Sequence, residues 1–352
     1  MARSTDTVEA RALWYAGKGS IELRPEILRM PGADEVLVAT AFSGVSRGTE
    51  RLVMAGLVGE AEWERMRAPL QAGDFPFPVK YGYCATGIVE AGDKQLLGRP
   101  VFVLHPHQDR FVAPVAMATP IPDGVPLRRA TLAANMETAL NGLWDSGAGP
   151  ADRIVVVGGG IVGLLVGYLA ARLPGADVTL VDVAADRRPV AEALGMRFAL
   201  AGPAPSKFTP SGPAPSSRLP TGESEGAMQN ADIVFHTSAS AAGLAAAIDA
   251  AGFEATIVEL SWYGDGTIAA PLGGAFHSRR LKLISSQVGS VAASRRARWD
   301  YKRRLTAALQ LLRDDRLDAL LAEEIAFTDA PARLAALLAP GAKGLAPVLR
   351  YR

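Results

Sequence analysis

Two patterns of hydrophobic residues follow one another along the chain. In the first third, short β-rich runs alternate with glycine and proline, as in residues 35–41, 87–90 and 100–104. Runs of this length and spacing predict a small, twisted β-domain. A helix is predicted over residues 127–145, because apolar side chains recur there with the helical period.

The middle of the chain changes to strands that alternate with helices. Short apolar runs predict strands at residues 153–157, 177–181, 232–235 and 255–260. Helical patterns lie between them, at residues 190–194 and 241–251. Such alternation predicts a parallel, doubly wound sheet, so the expected fold class is α/β with a β-domain in front.

Residues 202–222 interrupt this alternation. Of these 21 residues, 13 are Pro, Gly or Ser, without a hydrophobic period. The segment has too little apolar content to fold alone, which predicts a flexible surface insertion, with a lid as the alternative. Helices at 299–312 and 330–338 and a last strand at 344–351 follow. The expected domains are residues 1–125, residues 126–290 and a closing segment over residues 291–352.

Composition narrows the class of protein. A length of 352 residues is typical of two domains. With 37 Lys and Arg against 36 Asp and Glu, no net basic field favours nucleic acid or anionic lipid, and the basic run at 295–304 is expected to be a solvated helix face. The apolar run at 154–171 is interrupted by glycines, so no membrane insertion is expected. The N-terminus lacks the apolar core of a signal peptide, and Cys84 is the only cysteine, which favours the reducing cytoplasm.

The strand predicted at 153–157 runs into a glycine-rich turn. Gly158, Gly160 and Gly163 have the G-x-G-x-x-G spacing, and an apolar helix follows, beginning with Ile161 and Val162. The first glycine permits a tight turn, the second lets backbone approach a diphosphate, and the third lets helix and strand pack closely. The sequence therefore predicts a dinucleotide site at this helix N-terminus, against the alternative of a sheet that binds nothing.

An acidic residue follows at the position that selects between the two nicotinamide dinucleotides. Asp182 ends the next predicted strand, where a carboxylate accepts hydrogen bonds from the adenosine ribose and repels a 2′-phosphate. NAD is therefore the expected cofactor. Arg187 and Arg188 follow closely and keep NADP open as the alternative, because a guanidinium can hold that phosphate.

Four segments together resemble the medium-chain dehydrogenase/reductase superfamily. They are FSGVSRGTE at 42–50, YGYCATGIV at 81–89, ANMETAL at 134–140 and the glycine turn at 157–163. The resemblance implies a GroES-like β-domain followed by a Rossmann domain, with the last residues returning to the β-domain. It also implies an NAD(P)-dependent oxidoreductase with a small-molecule substrate, and a homodimer.

The sequence departs from the zinc-dependent members of that superfamily. Ser46, Tyr83 and Ala134 stand where the resemblance places catalytic zinc ligands, and none of them supplies a thiolate or imidazole. The four-cysteine structural zinc lobe is absent as well. His105 and His107 are two residues apart on an expected strand, which places both on one face without a third ligand. No zinc or other metal site is therefore expected.

Within the superfamily, residues 43–56 look most like the bacteriochlorophyllide a dehydrogenase branch. That branch oxidises a 3-hydroxyethyl side chain on a chlorin ring to acetyl with a nicotinamide acceptor. The resemblance implies hydride transfer to or from a secondary alcohol or ketone on a bulky substrate, although another alcohol remains equally open. The alternatives are an NADPH-dependent quinone or enone reductase and a non-catalytic dinucleotide-binding protein.

A zinc-free reaction of this kind needs a side chain that handles one proton. Tyr83 is the first candidate for the donor to substrate oxygen, with Thr49 or Ser46 as its partner. Glu50 is a further candidate, and the alternative for this residue is an ion pair with Arg47 or Arg51. Packing would explain Tyr83 equally, and hydrogen bonds to turn backbone would explain the two hydroxyls.

Four further hydroxyl residues are expected to line the cofactor. The resemblance places Thr138 beside the nicotinamide and Ser286 in a segment that approaches the nicotinamide amide. Thr237 and Ser238 follow the strand predicted at 232–235, at the carboxyl edge where doubly wound sheets bind ligands. Burial at the strand end is the alternative for these two.

Overall fold

The structure, a computed structural model, describes residues 7–202, 229–342 and 344–351. These residues belong to two units that the chain enters more than once. The first unit contains Met1–Ala134, Gly264–Gly266 and Leu305–Arg352, and the second contains Asn135–Tyr263 and Thr267–Arg304.

The first unit is built on strands. In chain order they are β1 (Thr7–Gly17), β2 (Ser20–Arg29), β3 (Glu35–Gly44), β4 (Ala72–Gly73), β5 (Val79–Lys80), β6 (Ala85–Gly92), β7 (Pro100–Val103), β8 (Arg110–Pro114) and β9 (Thr119–Pro120), followed far along the chain by β16 (Leu321–Ala326) and β17 (Ala346–Arg350). One sheet has the order β2-β1-β5-β4. The other has the order β16-β17-β3-β6-β7-β9, with β8 also paired to β3.

Alternating side chains of the larger sheet form the core of this unit. Val36 and Val38 of β3 pack with Val101 of β7 and Phe111 of β8, and all four are buried. Val348 of β17 pairs with Gly44 of β3 in an antiparallel ladder, so the last strand completes the sheet that β3 begins. The helices α1 (Arg47–Ala55), α2 (Leu127–Ala130) and α9 (Ala330–Leu337) also lie in the first unit.

The second unit contains a parallel sheet with helices in the connections. Its strands are β10 (Arg153–Val157), β11 (Asp177–Asp182), β12 (Arg197–Leu200), β13 (Ala231–His236), β14 (Ala251–Glu259) and β15 (Lys282–Ser285), in the order β12-β11-β10-β13-β14-β15. Its helices are α4 (Ile161–Ala170), α5 (Arg188–Ala193), α6 (Ala241–Ala250) and α7 (Ala275–Ser278). This order confirms the predicted doubly wound sheet, whose topological switch lies between β10 and β13.

The chain passes from one unit to the other within two helices. They are α3 (Ala133–Ser146) and α8 (Tyr301–Leu311). The division differs from the expected boundaries because α2 packs on β3 and β6, which keeps residues 126–134 with the first unit. Residues 291–304 stay with the second unit, where Arg304 donates to Glu137 and to Asn141. Short 3-10 turns lie at Glu60–Glu62, Val115–Met117, Ala185–Arg187, Asp315–Leu320 and Phe327–Asp329.

The sequence patterns located most of the elements but missed several. The helix expected over residues 127–145 is two helices, α2 and α3, because the chain turns at residues 131–132. The long hairpin β1–β2 was not foreseen, because charged residues interrupt its apolar alternation. Residues 203–222 of the expected insertion lie outside the described residues.

Two expectations about polar residues were wrong. His105 and His107 are not on a strand, because β7 ends at Val103. Arg304 does not belong to a solvated helix face, since its side chain is only 3% exposed and pairs with Glu137. Within the described ranges, the helices are all too short or too polar to cross a membrane.

Candidate active site

The glycine turn after β10 is constrained by close backbone contacts. Gly158 has φ +110°, and a Cβ on it would lie 2.8 Å from the backbone nitrogen of Ser238. A Cβ on Gly163 would lie 1.9 Å from the carbonyl oxygen of Gly158 and 2.6 Å from Thr237 Oγ1. Both positions therefore require glycine, for the reasons that the sequence pattern predicted.

Gly160 has a different reason to be glycine. It caps α4 with φ −75°, which any residue adopts, and a Cβ on it would meet no protein atom within 4 Å. The space beside it is open, at the helix end where Ile161 and Val162 begin the first turn. A cradle of this kind fits a diphosphate, because free N–H groups and the helix dipole favour negative charge there.

Asp182 and Arg187 lie on either side of this turn. The Asp182 carboxylate accepts hydrogen bonds from the backbone nitrogens of Gly159 and Ala184, the latter at 2.7 Å. A Cβ on Gly159 would lie 3.1 Å from both Asp182 Oδ2 and Arg187 Cγ. The carboxylate thus fixes the turn, and the Arg187 side chain, which is 14% exposed, lies beside the same glycine.

Thr237 supports the turn through its hydroxyl. The Thr237 side chain donates to the carbonyl oxygen of Gly158 at 2.7 Å, and its backbone nitrogen donates to that of Val157 at 2.8 Å. Its hydroxyl proton is therefore used within the protein. In the expected contact with a cofactor, the Thr237 hydroxyl oxygen can therefore only accept a hydrogen bond.

Ser238 belongs to a cluster of polar side chains that the sequence analysis missed. Ser238 Oγ lies 2.7 Å from His236 Nε2, and His236 Nδ1 lies 2.6 Å from Glu259 Oε2. Tyr263 donates its hydroxyl to the same carboxylate oxygen at 2.9 Å. Polar residues at the ends of two neighbouring apolar strands, β13 and β14, were the available signal.

The charges in this cluster are set by opposing effects. Burial raises the pKa of Glu259, but hydrogen bonds from His236 and Ser261 outweigh burial and leave that pKa below its usual value. Burial and the neighbouring Glu259 charge raise the pKa of Tyr263. Glu259 is therefore an ionised acceptor, and Tyr263 keeps the proton that it donates.

Ser286 and Thr138 lie elsewhere in the second unit. Ser286 is 8% exposed, donates to Asp145 Oδ2 at 2.7 Å and accepts from Asn141. Its hydroxyl is thus directed at α3, where Asp145 offers a carboxylate within reach, and its expected approach to a nicotinamide amide stays a prediction. Thr138 is half-buried on α3, next to the buried Glu137.

In the first unit, three hydroxyl groups meet where α1 begins. Tyr83 donates to Thr49 Oγ1 at 3.2 Å, and the Ser46 side chain also hydrogen-bonds to the Tyr83 hydroxyl. Ser46 is the N-cap residue of α1, so the helix start carries both partners. Burial and the nearby Cys84 raise the pKa of Tyr83, while the two hydroxyl partners lower it, and the net shift is upward.

Glu50 lies inside the first unit and is fully buried. Its carboxylate accepts from Tyr15 Oη at 2.6 Å, from the Ser46 backbone nitrogen at 2.6 Å and from His107 Nε2 at 2.9 Å. Neither Arg47 nor Arg51 is its partner among the described residues. These contacts place Glu50 in a buried network, and its expected catalytic role stays a prediction.

The two histidines near this network have separate surroundings. His107 Nδ1 lies 2.6 Å from Ser43 Oγ, which in turn lies 2.8 Å from the Tyr351 hydroxyl. His105 stacks on Phe111 with 3.8 Å between ring centroids, and burial lowers its pKa to about 3. The two imidazoles therefore make different contacts within the first unit.

The residues at the expected zinc positions remain Ser46, Tyr83 and Ala134. In the described ranges, no three His, Cys, Asp or Glu side chains group closely enough to hold a metal ion. The side chains that meet at Tyr83 are instead hydroxyl groups, which can donate and accept protons.

Comparison with known proteins supports the fold. No model of a known protein family matches the chain. Several hundred chains of solved structures match it. L-idonate 5-dehydrogenase of Escherichia coli K-12 is 14% identical with a TM-score of 0.75, covering 98% of this chain and 99% of that one. 2R,3R-butanediol dehydrogenase of Bacillus subtilis is 16% identical with a TM-score of 0.74, covering 97% and 100%.

A third structure contains a bound dinucleotide. It is a protein of Sinorhizobium meliloti 1021, provisionally described as a zinc-binding dehydrogenase and bound to NADP; it is 18% identical with a TM-score of 0.71, covering 98% of this chain and 100% of that one. At these identities the likeness shows the fold. The predicted fold class, a GroES-like β-domain and a Rossmann domain, is confirmed.

Proposed function

We propose that this chain is an oxidoreductase of the medium-chain type, which transfers hydride between a nicotinamide dinucleotide and a secondary alcohol or ketone without zinc. The observation that carries the proposal is the glycine turn, where Gly158 and Gly163 have no room for a side chain and Gly160 borders open space. Two of the structural neighbours named above are dehydrogenases of L-idonate and of 2R,3R-butanediol, which supports this reaction class.

The second unit supplies the cofactor site in this proposal. The first turn of α4 binds the diphosphate, and Asp182 accepts from the adenosine ribose, which makes NAD the preferred dinucleotide. When bound, the nicotinamide supplies or accepts the hydride. Arg187 lies beside Gly159 and is the residue that would hold a 2′-phosphate, so NADP remains the alternative.

The first unit supplies the proton in this proposal. Tyr83 keeps its proton at neutral pH because its pKa is raised, so it donates to the oxygen of a ketone as that oxygen gains charge. Thr49 and Ser46 orient the phenol, and a proton from solvent restores it after each turnover. Zinc would polarise the same oxygen in other dehydrogenases; Ser46, Tyr83 and Ala134 do not fit as its ligands.

The substrate proposed is bulky and cyclic, and of the hydroxyethyl-chlorin type. It rests on the similarity of residues 43–56 to the bacteriochlorophyllide a dehydrogenase branch. A quinone or enone reductase is the second candidate, favoured by the position of Arg187 because reductases of this class use NADPH. A protein that binds the dinucleotide without turnover is the third.

Titration of metal-depleted protein with NADH and NADPH tests the cofactor site. Quenching of tryptophan emission is the readout, since the chain has 5 Trp. Saturable binding with tighter NADH supports the proposal, tighter NADPH supports the reductase, and absence of binding to either contradicts both.

Turnover of a panel of secondary alcohols and ketones, hydroxyethyl chlorins included, tests the reaction. Y83F should lower turnover by about 10²–10⁴-fold while NADH binding is unchanged, because a general acid contributes that much. Y81F removes a neighbouring buried phenol and is the matched control. Full turnover by Y83F would contradict the assignment of the donor.

A further inference from the structure

A continuous chain of hydrogen bonds runs along the carboxyl edge of the second unit. The backbone nitrogen of Gly243 lies 3.0 Å from Ser240 Oγ, which lies 3.0 Å from Ser238 Oγ. From Ser238 the chain continues to His236 Nε2 at 2.7 Å and to Glu259 at 2.6 Å. It joins the first turn of α6 to the ends of β13 and β14.

The two ends of this chain fix the direction of every proton in it. The Gly243 N–H only donates, and the ionised Glu259 carboxylate only accepts. With the Nδ1 proton of His236 donated to Glu259 and Nε2 as the acceptor, Nε2 takes the hydroxyl proton of Ser238. Ser238 accepts from Ser240 in turn, which leaves it one lone pair and no proton for any further partner.

Ser238 is placed beside the proposed cofactor site. It is half-buried, and its backbone nitrogen would lie 2.8 Å from a Cβ on Gly158. It follows β13, on one side of β10, whereas Asp182 ends β11 on the other side. A dinucleotide with its diphosphate on the glycine turn and its adenosine ribose at Asp182 therefore extends its nicotinamide half toward Ser238.

We propose that Ser238 recognises a hydroxyl group of the nicotinamide ribose as an acceptor, and that His236 and Glu259 are positioning residues that hold it in this state. The inference rests on the proposed dinucleotide site and adds the part of the ligand that this side chain selects. A ribose hydroxyl donates to the remaining lone pair of Ser238. A phosphate oxygen at the same place would meet another acceptor and be rejected.

Ser238, His236 and Glu259 also have the order of a nucleophile, a base and an orienting carboxylate. The surroundings favour a binding role. Ser238 Oγ already accepts from Ser240, and a Cβ on Gly243 would lie only 2.0 Å from it. The helix backbone thus covers one side of the oxygen, which leaves room for a hydrogen bond rather than for attack on a carbonyl group.

Binding of cofactor fragments tests the inference. Dissociation constants of NADH, reduced nicotinamide mononucleotide and AMP are measured at pH 8 for wild type, S238A, S238T and E259Q. S238A should weaken the binding of NADH and of the nicotinamide mononucleotide about 3- to 10-fold, which is the range of one neutral hydrogen bond. The binding of AMP should be unchanged. S238T keeps the hydroxyl and should restore binding.

E259Q tests the positioning role, because Glu259 acts only through His236. Like S238A, it should weaken the binding of the nicotinamide mononucleotide and leave the binding of AMP unchanged. E254Q changes an exposed glutamate on the same strand, β14, and is the matched control that should change nothing.

The outcomes separate this inference from the proposed function. If wild type binds none of the three ligands, the proposed function fails. If NADH binds but S238A binds the nicotinamide mononucleotide as wild type does, the inference is overturned. Equal weakening of AMP and the nicotinamide mononucleotide by S238A would also overturn it, since that pattern indicates a general collapse of the site.

Discussion

Each unit of this protein buries a histidine against a glutamate, and the two pairs differ in what surrounds them. In the first unit, the side chains of His107 and Glu50 are both 0% exposed, and three donors occupy the carboxylate. In the second unit, His236 is equally buried, but Glu259 is 15% exposed. The chain of hydrogen bonds from that pair ends at the half-buried Ser238, beside the glycine turn.

The difference separates an architectural network from one that faces a ligand. The enclosed pair in the first unit holds the Ser46 backbone nitrogen and thereby the start of α1, on which the partners of Tyr83 lie. All its hydrogen bonds are made within the protein, so its loss should appear in stability. In the second unit, the chain of hydrogen bonds that starts from the pair leaves one lone pair of Ser238 unused. Loss of this pair should therefore appear in ligand binding.

Removal of the two carboxylates should give the largest contrast. Glu50→Ala leaves Tyr15, the Ser46 N–H and His107 without an acceptor in a site closed to water, and should lower the free energy of unfolding by about 3–5 kcal/mol. Glu259→Ala should cost only about 1–2 kcal/mol, because water reaches the partly exposed site. Urea unfolding followed by tryptophan emission measures both free energies of unfolding. Equal losses of stability would contradict the distinction between the two networks.

Two glycines that touch these networks should give a smaller contrast. Gly82 has φ +122°, and a Cβ on it would lie 2.9 Å from His107 Cδ2, so Gly82→Ala should cost about 2–3 kcal/mol. Gly243→Ala should change stability less than Gly82→Ala, because alanine favours the helix, although its Cβ would displace the Ser238 hydroxyl and would lie 2.8 Å from His236 Nε2.

The second of these substitutions should appear in binding instead. Displacement of the Ser238 hydroxyl should weaken the reduced nicotinamide mononucleotide by about 3- to 10-fold, the worth of one hydrogen bond. Melting temperatures and ligand titrations on the two variants measure both effects. A Gly243→Ala protein that binds as wild type does would show that the hydroxyl position is unimportant.

The pH dependence of stability should give the smallest effect. The pKa of Glu259 is lowered in the folded protein, so this group stabilises the fold above its unfolded pKa near 4.5, and that stabilisation is lost as pH falls through the lower folded pKa. Wild type should therefore lose more stability than Glu259→Gln between pH 5 and pH 3. Thermal unfolding of both proteins across that range measures the difference, and parallel curves would contradict the shift.

The doubly wound unit could be predicted because its signals are local. Apolar runs marked β10, β11, β13 and β14, and Gly158 and Gly163 are required by contacts that any such turn makes. The first unit gave weaker signals. Its β1–β2 hairpin carries charged residues on exposed positions, and its closing strand is far away in the sequence.

The candidate site was predictable only where the resemblance to a known family places its residues, as at Ser46 and Tyr83. Ser46, Thr49 and Tyr83 meet as expected. The role of Glu50 was missed because its partners Tyr15 and His107 lie 35 and 57 residues away. The buried ion pair of Arg304 with Glu137, 167 residues away, was equally unpredictable from a run of basic residues. Long-range burial of charge leaves no periodic signal in a sequence.

The position of β17 has a consequence for the order in which the protein is made. Residues Val348–Arg350 supply the antiparallel partner of Phe42–Gly44, which are synthesised before them. The parallel sheet is complete once residue 285 has emerged, so the second unit can fold on the ribosome. The first unit must wait with one edge of that stretch of β3 unpaired, the other edge being paired with β6, until β17 has been translated, and chaperone demand should be concentrated in this interval.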